Sequence, residues 1–281
     1  MKIQFLGTAA AEGWPGLFCA CECCETARVR GGRNIRTRSQ AIVFAGEVGQ
    51  GRPDERLLID FPADTYIHCL HHDLRLDKVG HLIITHSHSD HFAPADLPFR
   101  RGVFAVPNPS FPLHIYGNDK VKAKYHTVVK PDEQDGFEFH EVECGKPFAA
   151  GVFNVTPLPA LHDRTEKCFF YLIEHSGKAL LYGNDTGIFP QEAWDMLANR
   201  PLDVVSLDCT TGKFKDGNNH MGLPDIIEVK HKLEAAGCLK PSTRIILHHF
   251  SHNGGACYEE MVELAKPYGF DVSYDGGVWE V

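Results

Sequence analysis

Apolar residues in this chain run continuously or alternate more often than they recur every three or four positions, a pattern that predicts a β-rich fold. Short apolar runs bounded by Gly, Pro, Asn or Asp predict strands at 41–44, 56–59, 81–85, 113–116, 137–142, 153–158, 168–174, 179–182, 203–207 and 243–247. The opening residues 1–6 share that character. Helical spacing is confined to 64–70, 191–198, 224–236 and 258–266, where Pro190, Pro224 and early acidic residues suit helix starts. Residues 46–53 read as a loop between two strands, and no low-complexity linker divides the chain. The halves 1–140 and 141–281 share a strand-then-helix rhythm without a repeated sequence. The expectation is one α/β (α+β) domain over 1–281, two β layers covered by helices.

Composition narrows the class. The 281 residues are 43% hydrophobic and 23% charged, sufficient for a substantial core. No segment approaches the ~20 apolar residues of a membrane span. The start runs straight into a strand pattern that leaves no room for a signal peptide, so a cytoplasmic protein is expected. A net charge of −9 argues against a broad nucleic-acid-binding face. Arg28, Arg30, Arg33, Arg36 and Arg38 form a local basic run, readable as a solvated loop or as a phosphate contact.

The chemistry concentrates at 85–91, Thr-His-Ser-His-Ser-Asp-His, directly after the apolar run 81–85. His86, His88, Asp90 and His91 place imidazole and carboxylate donors where a strand end feeds a loop, which suits zinc, manganese or iron. Further donors follow later apolar runs: His162 after 155–161, Asp185 after 179–184, and His249 after 244–248. The other histidines, His68, His71, His72, His114, His126, His140, His175 and His231, read as structural or solvated.

The ordered set His86-x-His88-x-Asp90-His91, His162, Asp185 and His249 resembles the metallo-β-lactamase superfamily. That resemblance implies a four-layer αββα sandwich with a two-metal hydrolytic site at one edge. It implies that His86, His88 and His162 hold one metal, that Asp90, His91 and His249 hold the other, and that Asp185 bridges them. A hydroxide shared by the metals would be the nucleophile, which Asp90 also orients. Asp60 matches an acidic position that buttresses such sites, although Pro62 stands where glycine is usual.

A second constellation lies at 19–28. Cys19, Cys21 and Cys24 have zinc-ligand spacing, His252 is the natural fourth ligand, and Cys23 is a spare thiol able to replace a neighbour. The six other cysteines read as small buried hydrophobes. A Cys3His structural zinc on this fold resembles the phosphoribosyl 1,2-cyclic phosphate phosphodiesterases (PhnP-like proteins). Three stretches agree: Gly7–Gly13, Leu207-Asp-Cys-Thr210 followed by Asn219-His220, and Arg244–His252. This branch implies a small cyclic phosphodiester substrate, His220 as general acid or hydrogen-bond donor, substrate contacts from Arg36, Arg38 and Ser39, and a homodimer. Residues 46–56 and 92–110 look longer than a minimal member needs and would shape substrate choice. The alternatives are a ribonuclease Z-like tRNA-processing enzyme, a PqqB-like cofactor-biosynthesis protein, and a non-catalytic metal-binding module.

Overall fold

The computed structural model describes residues 1–130 and 135–281. Its strands form two seven-stranded sheets. The first contains β1 (Lys2–Gly7), β2 (Gln40–Phe44), β3 (Arg56–Ile59), β4 (His81–Ile83), β5 (Leu113–Gly117) and β6 (Phe137–Glu141). The second contains β7 (Phe148–Ala150), β8 (Phe153–Pro159), β9 (Phe169–His175), β10 (Lys178–Gly183), β11 (Leu202–Asp208), β12 (Leu239–His248) and β13 (Phe270–Val272). The last strand, β14 (Val278–Glu280), returns to the first sheet and pairs antiparallel with β1. Both sheets have the same plan: the run β14-β1-β2-β3 is antiparallel and β3-β4-β5-β6 parallel, and likewise β7-β8-β9-β10 and β10-β11-β12-β13. The rhythm read in the two halves is thus a shared sheet topology.

Strand alternation builds the layers. Leu57 and Ile59 of β3, Tyr171 and Ile173 of β9, Leu180 and Tyr182 of β10, and Ile246 of β12 meet in one core between the sheets. Leu172, Leu181, Ile245 and Leu247 point the other way. They pack against α1 (Glu22–Arg30), α4 (Gln191–Leu197), α5 (Leu223–Ala235) and α6 (Tyr258–Ala265). Leu58, Leu82 and Ile115 bury the outer face of the first sheet against Val121 and Tyr125 of α3 (Asp119–Tyr125) and against residues of the 74–97 segment. The remaining helix, α2 (Thr65–His71), follows β3. The result is the anticipated αββα arrangement. Among the described residues, no helix is long and apolar enough to cross a membrane.

The structure adds elements the pattern missed. Residues 22–30, read as part of a cysteine loop, form α1, whose buried face is only Cys24 and Ala27. Helix α3 is capped by Asn118, whose side chain accepts a hydrogen bond from the Val121 amide at 2.8 Å. Residues 94–104 are short 3-10 turns, Pro94–Arg100 and Gly102–Phe104. Residues in this stretch line an apolar cavity of about 190 Å³ with Leu58, Leu82 and Leu113 on the outer face of the first sheet. The 46–53 loop closes on Arg56, whose Nη2 donates to the Gly49 carbonyl at 2.6 Å. That places it at the start of β3, the end opposite Asp60.

Candidate metal centre

The candidate donors, and the Asp60 that buttresses them, follow the carboxyl ends of strands that open on one edge of the sandwich, where ligands of open α/β sheets bind. Asp60 follows β3, His86 to His91 follow β4, His162 follows β8, Asp185 follows β10 and His249 follows β12. Three of them, Asp60 (φ 65°), Asp185 (φ 48°) and His249 (φ 60°), have left-handed backbone, a conformation that L-residues enter at about 1–3 kcal/mol each and that clusters at functional sites. These kinks turn the side chains off the strand axis toward the shared edge.

The donor atoms converge in overlapping groups. His86, His88 and His162 form one, Asp90, His91 and His249 another, and His86, His91 and Asp185 a third, each with its donor atoms within 4.8 Å of one another. Asp185 Oδ2 lies 2.5 Å from His91 Nε2 and 3.2 Å from His249 Nε2, which puts it between the groups. His88 Nδ1 and His162 Nε2 are 3.3 Å apart.

Supporting hydrogen bonds fix which nitrogen faces inward. His91 Nδ1 donates to Asp60 Oδ2 at 2.7 Å, while Asp60 also accepts from the Thr85 amide and hydroxyl. His86 Nδ1 contacts the Thr85 hydroxyl at 3.0 Å and His249 Nδ1 the Thr210 hydroxyl at 2.8 Å. The inward atoms, Nε2 of His86, His91 and His249 and Oδ2 of Asp185, are buried without a well-formed hydrogen bond. Leaving such groups unsatisfied costs about 1–3 kcal/mol each, a penalty a shared cation removes.

Electrostatics agree. Burial opposes charge on His91, yet Asp185, Asp90 and Asp60 hold its pKa well above the ordinary range. His86, fully buried beside His91, is held well below it and keeps a free lone pair. Asp185 is likewise pushed well down, since His249 and His91 outweigh the effect of its burial. Carboxylates that favour positive charge on His91, beside a His86 kept neutral, mark a dry point where a divalent cation would take the place of the His91 proton.

Several supporting residues carried no motif of their own. Asp163 Oδ2 bonds His88 Nε2 at 3.1 Å. Glu166 holds the Ser87 amide at 2.7 Å. Asp208, at the end of β11, bonds His220 Nδ1 at 3.0 Å and lies 3.6 Å from His249 Nδ1. Burial lowers the pKa of His220, but Asp208 and then Asp185 outweigh it and raise it to about 9. The position of Asp208 after the apolar run 203–207, like that of Asp185 and His249 after theirs, was the available signal. Beside the donors a cleft of about 290 Å³ is lined by His88, His162, Asp163, Arg164 and Asn219.

Of the substrate contacts expected of the basic stretch, Arg36 and Ser39 are buried away from solvent, while Arg38 is partly exposed. Arg36 is 3% exposed, donates to the Thr8 hydroxyl and the Ser273 carbonyl, and lies over the Phe250 ring. Ser39 is buried against His248 Nε2 at 3.0 Å. Arg38 binds Asp64 and the Ala11 carbonyl. An extended segment alternates, so Arg36 turned into the core and became a packing residue.

The cysteine constellation does assemble. Donors of Cys19, Cys21, Cys24 and His252 lie within 4.8 Å of one another, with His252 Nδ1 at 3.7 Å from Cys19 Sγ and 3.4 Å from Cys21 Sγ. Tetrahedral zinc with bonds of roughly 2.0–2.3 Å spaces its ligands at about that distance. Cys23 stands outside this group. Hydrogen bonds from the Cys24 and Cys19 groups outweigh burial and lower the Cys21 pKa to about 7, whereas burial pushes Cys24 up to about 12.

Residues 36–250 match the family model of the beta-lactamase superfamily domain, and the chain belongs to that family. It is a metal-dependent hydrolase of the metallo-β-lactamase superfamily. Among solved structures, a diphosphatase of the PhnP family superposes with a TM-score of 0.76 at 22% identity, over 100% of this chain and 97% of that one. Zn²⁺-bound PqqB from Methylobacterium extorquens gives 0.70 at 17% identity over 100% of both chains. The short form of human tRNase Z gives 0.66 at 15%, over 100% of this chain and 99% of that one. At these identities the likeness is one of fold. No curated protein matches the sequence.

Proposed function

We propose that the chain hydrolyses a small phosphodiester, a cyclic one such as phosphoribosyl 1,2-cyclic phosphate being the leading candidate. The observation that carries the reading is the convergence of two three-donor groups on either side of Asp185, with inward atoms buried against one another. In this reading His86, His88 and His162 hold one divalent cation, Asp90, His91 and His249 the second, and Asp185 both. Zinc and manganese suit the donors best, and iron also fits. Bound there, a cation pair supplies Lewis-acid chemistry, acidifying water and neutralising charge that develops at phosphorus.

The chain's own residues do the rest. Asp60 and Thr85 hold His91 and His86 in register, and Asp163 does the same for His88. His220, anchored through Nδ1 on Asp208, is left with Nε2 to hold a proton for a departing alkoxide. Arg164 on the cleft rim suits a further phosphate of the substrate. Cys19, Cys21, Cys24 and His252 take a structural zinc that ties the start of α1 to the strand end bearing His249. The PhnP-family diphosphatase among the structural neighbours supports hydrolysis at phosphorus over other hydrolysis.

A tRNA substrate, suggested by the tRNase Z neighbour, sits poorly with the net charge of −9. A PqqB-like role predicts no phosphodiester turnover. Assays of metal-loaded protein on ribose 1,2-cyclic phosphate 5-phosphate, 2′,3′-cyclic nucleotides and precursor tRNA separate the three. Turnover of tRNA alone, or of none, would overturn the proposal.

A further inference from the structure

Two of the histidines set aside in the sequence meet outside this site. Strands β4, β5 and β6 are parallel neighbours in which His81 pairs with His114, His114 with Glu138, and Tyr116 with His140. Their alternates Leu82, Ile115 and Phe137 pack on the outer face. The histidines and Glu138 therefore share the inner face, at the β6 margin of the sandwich. His114 and Glu138 are in register with His81, five residues before His86, and His140 is level with Ile83, so the cluster lies before the histidine motif and one to two strands to its side, on β5 and β6.

Three donor atoms there form a tight triangle. His114 Nδ1 lies 3.0 Å from His140 Nε2 and 3.3 Å from Glu138 Oε2, and His140 Nε2 lies 3.9 Å from Glu138 Oε2. A point about 2.0 Å from all three exists, which is the bond length of zinc to imidazole nitrogen and carboxylate oxygen. The side chains are 27%, 40% and 55% exposed, leaving an entry path and room for a water as fourth ligand. Stacking holds the rings: His114 lies between His81 at 5.0 Å and His140 at 5.3 Å, and Tyr116 stacks on His140 at 4.7 Å. Ligands on adjacent strands of one sheet are set by backbone register, the rigid support a metal site needs.

We propose that His114, Glu138 and His140 form a zinc site, separate from the catalytic and cysteine constellations, that cross-links edge strand β6 to β5. The His2Glu donor set with an open position suits zinc better than magnesium or calcium, which prefer oxygen. Because the site shares no residue with the cleft, its occupancy governs the sheet edge and leaves hydrolysis unchanged.

The test is calorimetric titration of the full, already zinc-loaded protein with further zinc chloride, comparing wild type with His140→Ala. Wild type should bind one more zinc ion per chain than the variant, or bind it at least about tenfold more tightly. Both should hydrolyse substrate equally. Glu138→Gln, on an exposed side chain, serves as the second variant should His140→Ala fail to fold, and should weaken binding in the same direction. A zinc-edge anomalous map of zinc-soaked crystals should show a peak among the three side chains. Identical isotherms, or an anomalous map with peaks elsewhere and none here, would mean that the triangle is an ordinary hydrogen-bonded ladder and overturn the proposal.

Discussion

At the scale of single residues, function depends on which atom of each side chain faces inward. Asp60 and Thr85 touch no substrate in this account, yet they decide that His91 and His86 present Nε2. Asp185→Asn keeps the shape and removes the charge between the two donor groups. Turnover should drop by at least about a hundredfold, and metal content with it, as metal analysis of the purified variant would read. His220→Gln should lower kcat by roughly 10²–10⁴ on a substrate with a poor alkoxide leaving group, and far less on a nitrophenyl diester that needs no proton. Equal losses on both would remove His220 from the role of acid. Arg164→Ala should raise KM for a substrate bearing a second phosphate while sparing kcat, which steady-state kinetics on substrates with and without that group would resolve.

At the scale of elements, most of the fold was legible because its strands are buried on one or both faces and bounded by turn residues. What escaped is what carries little periodicity. The three-residue strands β7, β13 and β14 are too short to show a period of two, and α1 buries only Cys24 and Ala27. Helix α3 did leave a trace, since Val121 and Tyr125 are four apart after the Asn118 cap. The candidate donors could be picked out because the 85–91 motif, His162, Asp185 and His249 each come after an apolar run. Asp163, which orients His88, left no such mark, because orientation is a property of distance in space, and Asp208, which anchors His220, left only its place after the run 203–207. Arg36 was misread because its charge said nothing about the direction in which alternation turns it. One element also sets a pH dependence. His68 of α2 is buried between Thr37 and Gln40, and its pKa is lowered to about 3 by burial, then by His72 and His71. The unfolded chain protonates this group near 6.5. Its contribution is therefore complete above that pH and is lost as pH falls toward 3, by up to about 1.4 kcal/mol per unit. Thermal melts from pH 7 to 4 should fall less steeply for His68→Gln than for wild type.

At the scale of the whole molecule, two sheets of like topology face each other, and the donors gather where strand ends from both come together: β4 from one, β8, β10 and β12 from the other. Neither sheet alone supplies a complete set. The catalytic edge thus reports on correct packing of the sandwich, and a substitution that shifts one sheet should cost activity before it costs folding. Gly187 is such a place, since a Cβ there would meet the Asn218 carbonyl at 2.0 Å and push the loop carrying His220. Gly187→Ala should lower kcat while circular dichroism stays native. The central claim is that seven side chains from both sheets hold a pair of cations that act on a phosphodiester. The most direct measurement titrates metal-stripped protein with zinc or manganese while following hydrolysis of ribose 1,2-cyclic phosphate 5-phosphate. Activity should appear as two cations per chain fill the edge, and Asp185→Asn should abolish it. Metal bound at that stoichiometry with no phosphodiester cleaved, or cleavage untouched by Asp185→Asn, would contradict the account.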